Sequence, residues 1–234
     1  MFATTHWTVV LAAGRNPSPE ADRALEQLCL AYWFPLYAYV RRRGYPPADA
    51  EDLTQAFFTR LLEKNFLVDL DRKRGKFRAF LLASLKHFLA NEWDKTQRQK
   101  RGGGQYHLSF DWQTADTKFQ VADGNTPGPD QSFDREWALA LLETVIRRLE
   151  CEHVAEGKSK LFDQLKVFLT AGTGELSHAD AARNLGLDET AVRVAVHRLR
   201  KRYRALLRDE IAQTLADPAM VDDEMQALFG AFSS

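Results

Sequence analysis

The sequence predicts an all-α chain, in which a flexible acidic linker joins two small helical domains and the C-terminal domain contains a helix-turn-helix. Apolar residues recur at helical spacing in both halves, Gly- and Pro-rich breaks separate these segments, and no segment requires a strand. Its 234 residues are enough for two buried cores. The predicted divisions are an N-terminal extension (1–21), a first helical domain (22–101), the linker (102–132), the helix-turn-helix domain (133–210) and an acidic tail (211–234).

The segment from 177 to 208 has the pattern of two helices joined by a tight turn. Ser177 is placed to cap the first helix, and Asp188 to cap the second. Between them, Gly186 supplies the residue type that tolerates a left-handed turn. The apolar residues of the second helix recur at spacings of three and four, at Val192, Val196, Leu199, Tyr203 and Leu206. This pattern predicts a helix-turn-helix.

The second of these helices is strongly basic. Residues 183–208 contain eight Lys or Arg and two acidic residues. Cations alone are typical of an ordinary solvated surface helix, but together with the capped first helix and the glycine turn they favour a helix that enters the major groove of DNA. The candidate DNA-binding residues are Thr190, Arg193, His197, Arg198, Arg200 and Lys201, to which the family resemblance given below adds Val194.

In the first half, helices are predicted over residues 19–33, with a kink or a new start at Pro35, over 47–64 and over 76–101. The third helix ends in a mixture of aromatic, amide and cationic side chains. Such a mixture is typical of surfaces that hold unpaired bases, although Trp93 could equally be the last core residue of the helix. The candidate residues are Asn91, Trp93, Asp94, Lys95, Arg98 and Arg101.

The net charge is zero, but the charges are segregated along the chain. Residues 72–101 contain ten basic and two acidic side chains, whereas 102–136 contain six acidic and two basic, and 209–234 contain six acidic and no basic. Because each basic block lies beside an acidic one, attraction of the whole molecule to DNA is expected to be weak. We therefore expect the free protein to need a partner in order to engage DNA.

Several function classes are not supported by the sequence. No signal peptide or membrane span is predicted, and two cysteines fit a reducing cytoplasm. The six histidines lack metal-ligand spacing, and no phosphate-binding glycine loop or catalytic triad occurs. No cofactor, metal, membrane or small-molecule substrate is therefore expected, and the predicted location is the cytoplasm.

Taken together, these blocks resemble a bacterial RNA polymerase sigma factor of the two-domain, extracytoplasmic-function (ECF) type. The resemblance covers residues 22–101 and 133–208. It implies that the helix AEDLTQAFFTRLLEK (50–64) binds the clamp of core RNA polymerase, that residues 77–101 melt the promoter and that LDETAVRVAVHRLRKRYR (187–204) reads promoter DNA. The core polymerase contacts that it implies are Asp52, Gln55, Phe58 and Leu62.

The resemblance leaves several points open. Val194 is apolar where relatives commonly have a small polar residue, so the promoter sequence does not follow from it. Control by an anti-sigma protein or a regulatory kinase is also left open. One alternative is a polymerase-independent helix-turn-helix regulator with an N-terminal helical sensing domain. Another is a nucleic-acid-processing enzyme with a metal at Asp49, Glu51 and Asp52, although the preference of acidic residues for a helix start explains these three.

Overall fold

The computed structural model describes residues 19–62, 76–96, 128–170 and 177–232, with six positions between 111 and 119. The regular structure of these residues is helical, with one isolated β-bridge between Lys76 and Leu215, which confirms the all-α class. No helix among them is long and apolar enough to cross a membrane. The helices are α1 Pro19–Arg42, α2 Pro47–Leu62, α3 Phe77–Thr96, α4 Pro129–Ala155, α5 Ser159–Leu165, α6 Val167–Thr170, α7 His178–Leu185, α8 Glu189–Gln213, a 3-10 turn Pro218–Met220 and α9 Val221–Gly230.

The chain divides into two compact units. The first unit consists of residues 1–140 and 211–234, and the second unit of residues 141–210. The second unit is therefore an insertion in the first, because both of its flanks belong to the first unit. Residues 211–232, called the tail segment below, are consequently part of the first unit and not a separate appendage.

The core of the first unit lies among α1, α2 and α3. Its largest fully buried side chains include Tyr32, Leu36, Tyr37, Phe57, Phe58, Leu61, Phe77 and Leu81. Helix α1 continues through Pro35, where the sequence predicted a kink or a new start. A proline inside a helix costs about 3 kcal/mol. Burial of all five residues from Leu36 to Val40 offsets this cost and stabilises α1 as one continuous helix.

Part of the predicted linker packs on α1. The Trp112 ring lies 5.4 Å from that of Trp33 and 5.7 Å from that of Tyr37. The Phe119 ring is buried, with the guanidinium of Arg41 4.5 Å from its centre. These aromatic residues therefore hold this part of the linker against the first unit.

The tail segment joins the first unit through backbone pairing at the start of α3. The Phe77 N–H donates to the carbonyl of Thr214 at 3.0 Å, beside the antiparallel bridge between Lys76 and Leu215. Apolar side chains of the tail segment are buried at Ile211, Leu215, Val221 and Leu228. The contact is therefore part of the folded core.

A buried charge cluster lies at the same place. Glu224 of α9 is fully buried, with its Oε1 3.0 Å from Nε of Arg78 and its Oε2 2.6 Å from Nζ of Lys76. Arg78 also pairs with Asp134 of α4 and lies over the ring of Trp137, 4.3 Å from its centre. Burial lowers the pKa of Arg78, but the two carboxylates outweigh this effect and raise that pKa above its ordinary value. The cluster thus joins α3, α4 and α9 through complementary charges.

Candidate nucleic-acid interface

Helices α7 and α8 and the turn between them form with local hydrogen bonds that the sequence predicted. Ser177 caps α7 by accepting the Asp180 N–H at 3.3 Å. Gly186 has φ of 65°, in the left-handed region, and ends that helix. Asp188 Oδ1 then accepts the N–H groups of Thr190 and Ala191 at 2.7 and 3.1 Å. These contacts confirm both predicted caps and the glycine turn.

Packing fixes which side of α8 faces outward. Val192, Val196, Leu199 and Leu206 are buried, as their spacing predicted, and Ala181 of α7 is buried as well. Leu187, by contrast, is 44% exposed and lies in the turn immediately after Gly186. The apolar side of α8 is thus held within the second unit.

The candidate DNA-binding residues lie in two exposed rows on α8. One row consists of Arg193, His197 and Lys201, all exposed. The other consists of Thr190, Val194 and Arg198, also exposed, which line a groove of about 640 Å³ beside the end of α4. Val194 is 45% exposed, so an apolar contact is available in this row. Such a surface can offer arginine donors and a methyl contact to base edges.

Two other arginines of α8 bind the second unit itself. Arg200 is half-buried and donates from Nε and a terminal nitrogen to the carbonyl of Phe168, at 3.1 and 2.8 Å. Arg202 forms a two-bond pair with Glu152, with Nε 2.8 Å from Oε2, and this hydrogen bond lowers the pKa of Glu152. Arg200, a candidate for DNA contact, therefore supports the position of α8 in this structure.

Loss of the Asp188 cap is expected to weaken the start of α8. The Asp188→Ala variant should lower the free energy of unfolding of the second unit by about 0.5–2 kcal/mol. The hydrogen bonds from Ala191 and Thr190 lower the pKa of Asp188, so its stabilising effect is present above its ordinary pKa and lost as pH falls through the lowered one. Urea unfolding at neutral and acidic pH would measure both effects.

Asp188→Asn is the matched control, because it keeps the acceptor oxygen without the titrating charge. Its stability at neutral pH should lie within a few tenths of a kcal/mol of the wild type. An equal loss in the asparagine and alanine variants would contradict the capping role.

The end of α3 presents the second set of candidate residues. Asn91 is exposed, while Trp93, Asp94 and Lys95 lie in the last turns of α3, where the backbone alone is described. The predicted contacts Arg98 and Arg101 lie outside the described residues. The structure therefore places the exposed amide of Asn91 at this end of the first unit.

Beside this part of α3 is a groove of about 890 Å³ that the sequence did not predict. Its lining includes the half-buried side chain of Tyr45 and the exposed side chains of Arg43 and Lys86. The ammonium of Lys86 lies 2.6 Å from Oδ2 of Asp130. An aromatic ring between cations can hold a base and its phosphate. Sequence spacing could not bring Arg43 and Lys86 together, because Arg43 lies in the turn after α1 and Lys86 lies on α3.

Comparison with known families identifies this part of the first unit. Residues 32–99 match the family model of sigma-70 region 2. The matched span contains α2, α3 and the C-terminal part of α1, from Tyr32 to Arg42. It supports a sigma-70 family factor, a class of protein that binds RNA polymerase and recognises promoters. No curated protein and no solved structure gives a significant match to this chain.

Within region 2, the expected polymerase contacts lie on α2. Asp52 is exposed and Gln55 is half-buried, whereas the Leu62 side chain lies outside the described ones. Phe58 is fully buried, with its ring 5.5 Å from that of Phe57, because α2 packs against both α1 and α3. Phe58 thus lies in the region 2 core rather than on the surface where the resemblance had implied a contact.

The acidic residues at the start of α2 were considered above as metal ligands. In the described part of the chain, no three His, Cys, Asp or Glu side chains are close enough to hold a metal ion. Asp49 and Asp52, considered as metal ligands, lie exposed near the start of α2. The acidic residues there suit the positive end of the helix dipole.

Proposed function

We propose that this chain is a sigma factor of the two-domain ECF type, without enzymatic activity of its own. It binds core RNA polymerase in the cytoplasm through region 2, recognises promoter DNA and starts transcription. The region 2 match over residues 32–99 carries this proposal. The second unit supports it independently, since a capped helix-turn-helix with a basic second helix is suited to duplex DNA.

The proposed division of work follows from the side chains of each unit. Exposed arginines of α8 contact base edges in the major groove, where one good bidentate contact is worth about 1–3 kcal/mol of discrimination. The end of α3 holds bases of the opened strand. Unstacking a base costs a few kcal/mol, so the opened strand needs contacts such as Asn91 and the groove beside Tyr45.

Core polymerase provides binding sites for this chain. The free energy of that binding offsets the electrostatic repulsion between DNA and the acidic segments of the chain. Exposed Asp52 places a carboxylate on the surface of α2 for a basic partner surface. The acidic tail has no basic residue between 209 and 234, which disfavours unassisted DNA binding. Polymerase-dependent DNA engagement is therefore the expected behaviour.

The direct test combines the purified chain, core RNA polymerase and a library of genomic DNA fragments. Sequencing the 5′ ends of the transcripts should show start sites that share upstream sequence and that are absent with core polymerase alone. Binding of the free chain to the same fragments should be weak. Tight operator binding by the free chain without polymerase-dependent starts would instead favour the helix-turn-helix regulator with an N-terminal sensing domain.

A further inference from the structure

The groove beside α3 combines an aromatic ring with an ion pair, and all of its described lining belongs to the first unit. Its volume of about 890 Å³ lies within the range of sites that hold small ligands. Lys86 lies within the region 2 match, whereas Asp130 lies beyond the end of that match at residue 99. The groove is therefore built partly from region 2 and partly from the start of α4.

Packing fixes the first turns of α4 within the first unit. Phe133 and Trp137 are buried, and Nε1 of Trp137 donates to the hydroxyl of Tyr32 at 3.0 Å. Asp130 lies in the first turn of α4, three residues before Phe133, and its Oδ2 is 2.6 Å from Nζ of Lys86. Both charged side chains are exposed. The ion pair is thus held in one place in the groove while it stays accessible to a ligand.

Lys86 and Asp130 together offer the hydrogen-bonding groups that guanine requires. An ammonium offers donors only, and a carboxylate offers acceptors only. The Watson–Crick edge of guanine has a carbonyl acceptor followed by two N–H donors, so it can accept from Lys86 and donate twice to Asp130. Adenine and cytosine have an acceptor nitrogen in place of the ring N–H, and thymine has a carbonyl in place of the amino group. A carboxylate repels each of these acceptors.

We propose that this groove is a selective site for an unpaired guanine, whose Watson–Crick edge binds Lys86 and Asp130. This inference rests on the proposed function, which assigns the groove to bases of the opened strand, and it adds which base is held there. The half-buried ring of Tyr45 supplies the stacking surface.

The charges of the lining suit a single nucleotide. Arg43 and Lys86 contribute two positive charges and Asp130 one negative charge, so one positive charge remains for a phosphate. Burial raises the pKa of Tyr39, and Lys86, Asp130 and Arg43 all lie near enough to that hydroxyl to affect the same pKa. The three charges therefore surround one uncharged hydroxyl of the lining.

Binding of single-stranded DNA by the full chain tests the site. The probes are dodecamers that carry one base at their centre and abasic nucleotides elsewhere, so that only the central base differs among them. Titration at low ionic strength strengthens the contacts to phosphate and makes weak binding measurable. We expect the guanine strand to bind about fivefold or more tightly than the adenine and cytosine strands. Equal affinities for the four bases would overturn the proposal.

Asp130→Asn separates recognition of the base from general electrostatics. Loss of one negative charge should raise the affinity for every strand, but the new amide donors face the N–H groups of guanine, so the preference for guanine should fall below about twofold. Asp22→Asn, on an exposed position of α1, is the matched control and should keep the preference. A uniform gain in affinity with the preference intact in Asp130→Asn would show that Asp130 acts through its charge alone and would reject the guanine site.

Tyr45→Leu tests the stacking surface separately. Stacking does not distinguish the hydrogen-bonding edges of the bases, so this variant should weaken binding of all four strands by a similar factor. Loss of binding to the guanine strand alone would contradict a stacking role for Tyr45.

Guanosine monophosphate distinguishes a guanine of the strand from a free nucleotide. It should displace the guanine strand more effectively than adenosine monophosphate does, because the same edge is read. It should nevertheless bind more weakly than the strand, since it lacks the neighbouring phosphates. Tighter binding of the monophosphate than of the strand would assign the groove to a free guanine nucleotide and reject the opened strand as its ligand.

Transcription separates this inference from the proposed function. Polymerase-dependent start sites in a chain whose groove shows no preference for guanine would reject the guanine site alone. A preference for guanine that depends on Asp130, without such start sites, would support the site and reject the sigma-factor proposal.

Discussion

Replacement of Arg78 by methionine is expected to lower the free energy of unfolding of the first unit by about 3 kcal/mol. Methionine keeps apolar contact with Trp137 but removes the guanidinium that pairs with Glu224 and Asp134. The fully buried carboxylate of Glu224 then depends on Lys76 alone. Removal of one partner of a buried ion pair costs about 3–5 kcal/mol. We expect a value at the lower end of this range, because the ion pair between Lys76 and Glu224 stays in place. Chemical denaturation monitored by tryptophan fluorescence would measure the change.

Arg23→Met is the matched control for this substitution. Arg23 pairs with Glu20 at 3.6 Å, and both side chains are about 70% exposed. An exposed pair contributes less than about 1 kcal/mol, so the denaturation midpoint should hardly move. Similar midpoints for the two variants would show that the buried cluster does not stabilise the first unit.

Substitution of Arg198 by alanine is expected to weaken promoter recognition with little effect on folding. Arg198 is exposed on α8, so its removal leaves no buried group unpaired. The loss of a good arginine contact to a base costs about 1–3 kcal/mol, which is roughly a 5- to 150-fold reduction in affinity. Transcription from the mapped promoter should fall accordingly, at unchanged affinity for core polymerase.

Two variants make the Arg198 result specific. Lys160→Ala removes one exposed positive charge from α5 and should leave promoter recognition nearly unchanged. Arg200→Ala removes both donors to the Phe168 carbonyl, so it should lower the thermal stability of the second unit together with promoter binding. Full promoter-specific transcription by Arg198→Ala would argue against α8 as the recognition helix.

The sequence predicted best those features that depend on neighbouring residues. Ser177, Gly186 and Asp188 act through hydrogen bonds or dihedral angles within three residues of themselves, so residue type and order were sufficient. The helical class followed from periodicity in the same way. The recognition-helix candidates could be named because the buried row of α8 leaves the remaining rows exposed.

Features that depend on distant contacts could not be predicted. The family resemblance implied that Phe58 contacts core polymerase, but it did not show that α2 packs against both α1 and α3, and the Phe58 side chain is buried between them. The acidic composition of the tail did not show that Glu224 pairs with Lys76 and Arg78, which lie far back in the chain. Pro35 was expected to interrupt α1, but the buried residues after it stabilise the continuous helix.

The insertion of the second unit also has a consequence for synthesis on the ribosome. Glu224 follows Arg78 by 146 residues, so the first unit cannot close its charge cluster until the inserted unit has been translated. Contacts of such long sequence separation form slowly, whereas the second unit is built from nearby segments. We therefore expect the second unit to fold first during translation. The first unit completes its fold only after the tail segment with Glu224 has been translated, and Arg78 stays hydrated until then.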